Sequence, residues 1–375
     1  MTSLSPSQVI IDLDAYAHNL GVLRGVIPSE CGMIAVLKAN AYGHGLVPIA
    51  KRAIAEGVAM LGVATVEEGV TLREAGVQAP ILVLVQPLAE AMSVAVENHL
   101  RVMVSDVQVA EQLGEIARRV NEVVAIHCKV DSGMGRQGFE IDQAVRRLQY
   151  LTRISNVDIE GIATHFPVAD LKDDPFTNNQ IKSFRYFLKQ LDKGGIPYEM
   201  AHAANSAAIL NYPGSTFNMV RPGLATYGVW PTATTTQMSQ LKPVMRWETK
   251  VVLVKELEPG SSVGYGRTYT TPARMRAAIL PVGYADGYKL ALSNRADVLI
   301  RGKRCPVRGS VCMDQIVVDV GHMDVVADDV ATLIGTDGNE TITVEELARH
   351  AQSIPYDILV GVGPRVNRKY IGKTG

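Results

Sequence analysis

From about residue 32 to 240 the chain repeats one theme eight times: a short apolar run, then a stretch with helical spacing. The runs are MIAVLK (33–38), AMLGVA (59–64), ILVLV (81–85), RVMV (101–104), VAIHCKV (124–130), IEGIATHF (159–166), YEMAHAA (198–204) and FNMVRPG (217–223). They are near-continuous rather than alternating, as strands covered on both faces must be. Between them lie amphipathic segments such as LVPIAKRAIAEG, VQVAEQLGEIARRV and NNQIKSFRYFLKQLDKGG, the last ending in the glycines that stop a helix. Eight such units within about 200 residues favour a closed parallel (β/α)8 barrel over an open doubly wound sheet.

After residue 240 the pattern changes. KPVMRWETKVVLVKELEPG, ARMRAAILPVGYADG, ADVLIRGKRCPVRG and VCMDQIVVDV alternate and break at Gly and Pro, with one helical stretch, TVEELARHAQS. This predicts a mostly antiparallel β domain. The expected fold is therefore α/β: a TIM-type barrel over 1–240 and a C-terminal β domain over 241–375, which the early strand VIIDLD can join.

A formal net charge of -1 gives no electrostatic reason to expect nucleic acid or an anionic membrane as partner. No run approaches the roughly 18 apolar residues of a membrane span. The start lacks a basic region followed by an apolar run, so a cytoplasmic location is expected. Cys31, Cys128, Cys305 and Cys312 show no metal or disulfide spacing, and no metal is expected.

In a barrel of this kind the functional groups sit where strands run out into the following loops. Lys38 ends the first strand and opens the loop KANAYGHG. Asp131 and Arg136 follow the fifth in VDSGMGRQG, and His165 ends the sixth in THF. Ser206 follows the seventh in HAANSAA, and Arg221 ends the eighth in MVRPG. One strand-end lysine is ordinarily just solvated, but six polar groups on one rim make a site. A lysine walled by apolar neighbours loses its proton and attacks carbonyls. Pyridoxal phosphate is such a carbonyl. Tyr42, Ser206 and the amides of Gly223 and Leu224 are candidate donors to its phosphate, although GHG and RPG serve equally as plain turns.

KANAYGHG, VDSGMGRQG, THF, HAANSAA, NMVRPG, SVGYGRTY, PVGYADGY and GSVCMDQ together resemble the alanine racemase family, in order, from IDLDAYAHN to PYDILVGVGPRVNR. The resemblance implies a homodimeric, pyridoxal-phosphate-dependent isomerase that interconverts L- and D-alanine for peptidoglycan. By resemblance Lys38 carries the cofactor and acts as one base. Tyr265 is the opposite base and reaches the site from the partner subunit. Tyr42, Ser206, Gly223, Leu224 and Tyr356 match the phosphate-holding positions, and Arg221 the residue facing the pyridine nitrogen. Arg136 and the Met313 amide match the groups that hold the substrate carboxylate. His165 matches the residue behind Tyr265, and Lys129 a lysine that is carbamylated in many members and braces Arg136.

Some readings stay open. Tyr284 either lines substrate entry or packs in a core, Asp314 touches substrate or supports a turn, and Cys312 belongs to the motif or is a small buried hydrophobe. Lys129 is carbamylated or pairs unmodified. Asn367, Val360 and Ser310 stand where proline, cysteine and arginine are more common. A racemase of another amino acid would use the same bases. A decarboxylase on this architecture would call for a glutamate opposite the ring nitrogen, against Arg221. A non-catalytic cofactor carrier would lack the second domain.

Overall fold

A computed structural model describes residues 6–230 and 240–374. A first strand, β1 (Gln8–Asp12), precedes the barrel, whose strands are β2 (Gly32–Val36), β3 (Met60–Val63), β4 (Ile81–Val83), β5 (Arg101–Val104) and β6 (Val124–Asp131). A two-residue strand, β7 (Phe139–Glu140), pairs with the end of β6. The barrel then continues through β8 (Val157–Ala163), β9 (Met200–His202) and β10 (Met219–Val220). All neighbours are parallel, β10 returns to β2, and β5 pairs with β6. The sheet is thus closed with eight strands, one at each apolar run read from the sequence. The first strand stops at Val36, so Lys38 stands just beyond it.

The helices start where short polar side chains satisfy their free N–H groups. Asp12 Oδ1 accepts from Asp14 and Ala15, each at 2.9 Å, and starts the helix Leu13–Arg24. Asp106 caps Val107–Arg119, and Asp174, followed by Pro175 in the first turn, caps Pro175–Lys193. Outward-facing strand residues such as Ile126, Cys128 and Val130 join the large core beneath the helices. Inside the barrel Ile34, Met60, Leu82, Met103, Ala163 and Met219 form a separate apolar plug. Polar side chains replace apolar ones at His127 and His202, both fully buried.

The C-terminal unit comprises β11 (Met245–Lys250), β12 (Leu253–Leu257), β13 (Ser262–Val263), β14 (Tyr269–Thr270), β15 (Met275–Leu280), β16 (Asp297–Ile300) and β17 (Lys303–Arg308). It ends with β18 (Ile316–Asp319), β19 (Val330–Asp337), β20 (Glu340–Ile342) and β21 (Asn367–Ile371). Its main sheet runs β12-β15-β18-β17-β16-β19-β11-β1-β21, with β20 on β19. Every pairing is antiparallel except β1 with β21. The VIIDLD segment does join this sheet. Beside the expected helix, Val344–His350, a second one covers Pro355–Gly361. Val344–His350 carries the start signals of a Thr343 cap and two glutamates in its first turn, whereas Pro355–Gly361 has no side-chain cap and its proline resembles a turn signal in sequence.

Candidate active site

At the C-terminal mouth of the barrel the residues after β2 take an uncommon path. Ala39, Asn40, Ala41 and Tyr42 have φ of 55°, 55°, 53° and 53°, one turn of left-handed helix built without glycine. Such a conformation costs roughly 1–2 kcal/mol per residue, so its surroundings must hold it. Glu68 accepts from the Asn40 N–H at 3.1 Å and from Ala64 at 2.8 Å, tying the turn to the end of β3. Asn40 Oδ1 accepts from Leu46 at 2.8 Å. Buried His44 brings Nδ1 to 3.0 Å from Ala41 O and 2.9 Å from Tyr42 O, so Nδ1 carries the proton. Burial pushes its pKa down to about 4 and keeps it neutral.

The turn delivers Lys38 to the mouth and sends Tyr42 inward. A Cβ on Gly223 would lie 2.4 Å from Tyr42 Oη, so only glycine lets the phenol approach that loop. Tyr356, from the helix missed in sequence, lies with its ring 5.9 Å from the Tyr42 ring, tilted by 42°. Ser206 Oγ accepts from Gly223 N at 2.9 Å and Ala225 N at 3.2 Å. The Leu224 N–H between them has no hydrogen-bond partner among the described residues. Tyr42, Tyr356, Ser206 and this N–H form a neutral donor cluster suited to a phosphate.

Arg221 lies buried beside them. Nη1 donates to His202 O at 2.7 Å and to His202 Nδ1 at 2.6 Å. Nη2 donates to Thr164 O at 2.7 Å and Ala203 O at 3.0 Å, with His165 Nδ1 at 3.2 Å. Its Nε has no such partner among the described residues. Burial lowers this guanidinium to about 10, still charged near neutrality. His165 is held well below the ordinary imidazole range by burial and by Arg221, Lys129, Arg136 and Lys38, and so is neutral.

The Lys38 side chain remains open to solvent at the mouth, yet crowding strips water from its ammonium. Its pKa is lowered, first by that desolvation, then by Arg136 and Arg221, against an opposing pull from Glu68. Lys129, on the inward face of β6, is pushed down to about 8 by burial, then by Arg221 and Arg136, with Asp131 opposing. Asp131 organises the next loop. Its carboxylate accepts from Gly133 at 2.8 Å, Met134 at 2.7 Å, Gly135 at 2.8 Å and Arg136 at 3.3 Å.

The remaining sequence-predicted residues form a second group on the C-terminal domain. Tyr265 opens the turn Tyr265–Arg267 between glycines with positive φ, Gly264 and Gly266, and is 79% exposed. Ser310 Oγ donates to its carbonyl at 2.8 Å. Tyr284 N donates to Cys312 O and Ala285 N to Met313 O, each at 3.0 Å. A Cβ on Gly283 would collide with both carbonyls, which explains the glycine in PVGYADGY. Asp314 pairs with Arg365 at 2.7 Å, and Arg365 also holds Asp286 at 2.9 Å. Tyr284 and Met313 are exposed, and Cys312 is half-buried. Among the described residues, no hydrogen bond or ion pair joins this group to the barrel mouth of the same chain.

Known proteins match throughout. The model of the alanine racemase N-terminal domain covers residues 11–231, and that of the C-terminal domain residues 244–370. The alanine racemase of Symbiobacterium thermophilum is 44% identical over 377 residues, spanning 100% of this chain and 99% of its own. That of Halothermothrix orenii is 40% identical over 371 residues, 99% and 98% of the two chains. The chain belongs to the alanine racemase family.

Solved alanine racemases agree in three dimensions. The enzyme of D-cycloserine-producing Streptomyces lavendulae superposes with a TM-score of 0.94 at 35% identity, covering 99% of this chain and 98% of that one. An alanine racemase of Bartonella henselae, solved with covalently bound pyridoxal phosphate, gives 0.88 at 27% identity, covering 98% and 100%. Four polar residues of this alanine racemase family member went unassigned in sequence: Glu68, His127, Glu160 and His202. His127 left a signal, a histidine inside the apolar run VAIHCKV, because a buried imidazole needs a partner. Glu68 left none, since it sits in an ordinary charged helix. Among the described residues no helix is long and apolar enough to cross a membrane, and no cluster of potential ligands could hold a metal ion.

Proposed function

We propose that this protein is a pyridoxal-phosphate-dependent alanine racemase with a two-base mechanism, working in the cytoplasm to supply D-alanine for peptidoglycan. The observation that carries this reading is the set of groups left unclaimed at one mouth. These are the Lys38 amine with its proton loosened, the Arg221 Nε, the Leu224 N–H and the Tyr42 phenol. They match, in kind, an aldehyde, a ring nitrogen and a phosphate. Tyr42, Tyr356, Ser206 and the Gly223–Leu224 backbone would hold the phosphate, and Arg221 would face the ring, with His165 beside it. Attached at Lys38, pyridoxal phosphate supplies the electron sink for the pair left on the α-carbon after proton removal.

Racemisation needs acid–base groups on opposite faces of one carbon, since a single base would have to swing past the substrate. Lys38 Nζ takes or returns the proton on one face and Tyr265 Oη on the other. Arg136 and the Met313 amide hold the substrate carboxylate, Lys129 would brace Arg136 once carbamylated, since the unmodified ammonium repels that guanidinium, and Tyr284 and Cys312 flank the entrance. Arg221 keeps its proton and hands none to the ring, which favours return of the proton to the α-carbon over transamination. We take the barrel unit (1–240) and the β unit (241–375) to come from different subunits at each site. The exposure of Tyr265 supports a homodimer in which each supplies it to the other's mouth.

Purified protein should bind pyridoxal phosphate with a visible absorbance band and interconvert alanine enantiomers in a chiral assay run beside L-serine. No band, or faster turnover of serine, would overturn the assignment.

A further inference from the structure

Arg221 is the near end of a buried row of hydrogen bonds that the reaction above leaves unused. His202 Nδ1 receives a proton donated by Nη1, so that ring must carry its own proton on Nε2. His202 Nε2 lies 2.7 Å from His127 Nδ1, and His127 Nε2 lies 2.9 Å from Glu160 Oε2. Each imidazole therefore accepts at Nδ1 and donates at Nε2. Beyond Glu160 stands Arg101, the first residue of β5, with Nε 3.2 and 3.1 Å from Oε1 and Oε2 and Nη2 3.1 Å from Oε1. The row crosses the barrel interior from the mouth that carries Lys38 toward the opposite one.

The backbone is arranged for it. Pairing of β6 with β8 steps from Ile126–Ile159 to His127–Gly161, skipping Glu160. A bulge of this kind re-aims a side chain. Gly161 is required beside it, because a Cβ there would lie 2.3 Å from His127 Nδ1. Both histidines are fully buried and Glu160 nearly so.

We propose that Glu160 is a positioning residue for Arg221: its carboxylate fixes the proton order of His127 and His202 and so presents a lone pair to the guanidinium. This rests on the reading of Arg221 as the group facing the cofactor ring. Reversing His202 would put an N–H against the Arg221 N–H, and reversing His127 would put one against the Nε2–H of His202. Two cations, Arg221 and Arg101, thus cap a row whose polarity is set by the only carboxylate in it. An amide in place of Glu160 cannot serve both neighbours. If its oxygen faces His127 its NH2 meets Arg101, and if its oxygen faces Arg101 the histidine order must invert against Arg221.

Nitrogen-15 NMR of the histidine side chains reads this directly, in cofactor-free and cofactor-loaded protein. In the wild-type chain both rings should show Nε2–H and an unprotonated Nδ1 from about pH 6 to about pH 9. Glu160→Gln should mix the tautomers, shift the visible band of the bound cofactor and lower kcat about tenfold through misplacement of Arg221. Adding Arg101→Leu to E160Q frees the amide oxygen for His127 and should restore both the order and the band. A role in packing alone would leave tautomers and band unchanged in E160Q, and that result overturns the proposal. So does an imidazolium or Nδ1–H form in the wild type, or loss of order in the double variant, which carries the test if E160Q does not fold. Absence of a visible band in the wild type would instead count against the cofactor reading, and the cofactor-free spectra would still judge the row.

Discussion

The barrel mouth and the Tyr265 face differ in how completely one chain finishes them. At the mouth, Arg221 makes bonds to three backbone carbonyls, Asp131 gathers four N–H groups, and Lys38 and Lys129 have displaced pKa values. On the β domain, the Tyr265 phenol projects into solvent from a turn held at its carbonyl by the Ser310 hydroxyl. The backbone beneath it follows a path that only glycine allows, since Gly264, Gly266 and Gly283 are each dictated by a positive φ or a close approach. One half is therefore a pocket with shaped electrostatics, and the other displays a solvent-exposed phenol. Preorganisation in the first and presentation in the second is the division expected if a site is completed by association.

The sharpest way to break that division is to remove one group from each half. Lys38→Ala should abolish both turnover and the lysine-linked visible band, a loss at or above the roughly 10⁴-fold upper range of a positioned acid–base group. Tyr265→Phe should keep the band and lower kcat by about 10² to 10⁴-fold, since only the proton-bearing atom is lost. Mixing Lys38→Ala with Tyr265→Ala chains should restore activity in a fraction of heterodimers, measured after separation by differential tags. If heterodimers form and stay inactive, each chain does not lend its tyrosine to the other, and the contrast drawn above loses its meaning.

Arg221→Glu tests the pocket alone. A carboxylate would hold a proton on the ring nitrogen, so transamination should rise and racemisation fall by about 10-fold or more, on the scale of one charged contact at a reacting group. An unchanged ratio of pyruvate to D-alanine would remove the electronic argument for arginine.

How far such a site can be read from sequence depends on the length scale of the interaction. Barrel strands are buried on both faces, so their apolar runs stand out, and all eight were legible; the strand ends then pointed to Lys38, Arg136, His165 and Arg221 without further help. The helix Pro355–Gly361, which brings Tyr356 to Tyr42, was illegible because, unlike Val344–His350 of the same length, it starts without a side-chain cap and with a proline that resembles a turn. The left-handed turn at Ala39–Tyr42 was equally hidden, since alanine and tyrosine carry no propensity for it and contacts from Glu68 and His44 enforce it. The bulge at Glu160 has no local cue either. The role proposed for Tyr265 rests on motif resemblance, since nothing in its own neighbourhood would suggest it.

A smaller effect is expected at Asp131. Partial burial alone would raise its carboxyl, but four backbone N–H groups outweigh that and hold it below the usual carboxylate range. A depressed carboxyl contributes stability above its unfolded pKa and loses it as pH falls through the lower folded one. Asp131→Asn should loosen the loop that carries Arg136, raising KM for alanine about tenfold with little change in kcat, since holding the carboxylate is mainly a binding function. An equal fall in kcat would place this loop in the transition state instead.

Lys129 gives the smallest and most diagnostic effect. Its folded pKa of about 8 lies below the ordinary lysine value, so between the two the unfolded chain binds more protons. Stability of the cofactor-free protein should therefore rise with pH from about 8 to about 10, by roughly 1 to 1.5 °C in Tm per kcal/mol gained for a chain of this length. Lys129→Met should flatten that rise. Carbamylation changes the sign of the charge: with bicarbonate the residue becomes an anion among Arg136, Arg221 and Lys38, and the rise should vanish in the wild-type chain as well. A slope that ignores both the substitution and bicarbonate would mean that the cations of the mouth are screened from one another. The electrostatic shaping that separates this half of the molecule from the Tyr265 face would then be lost.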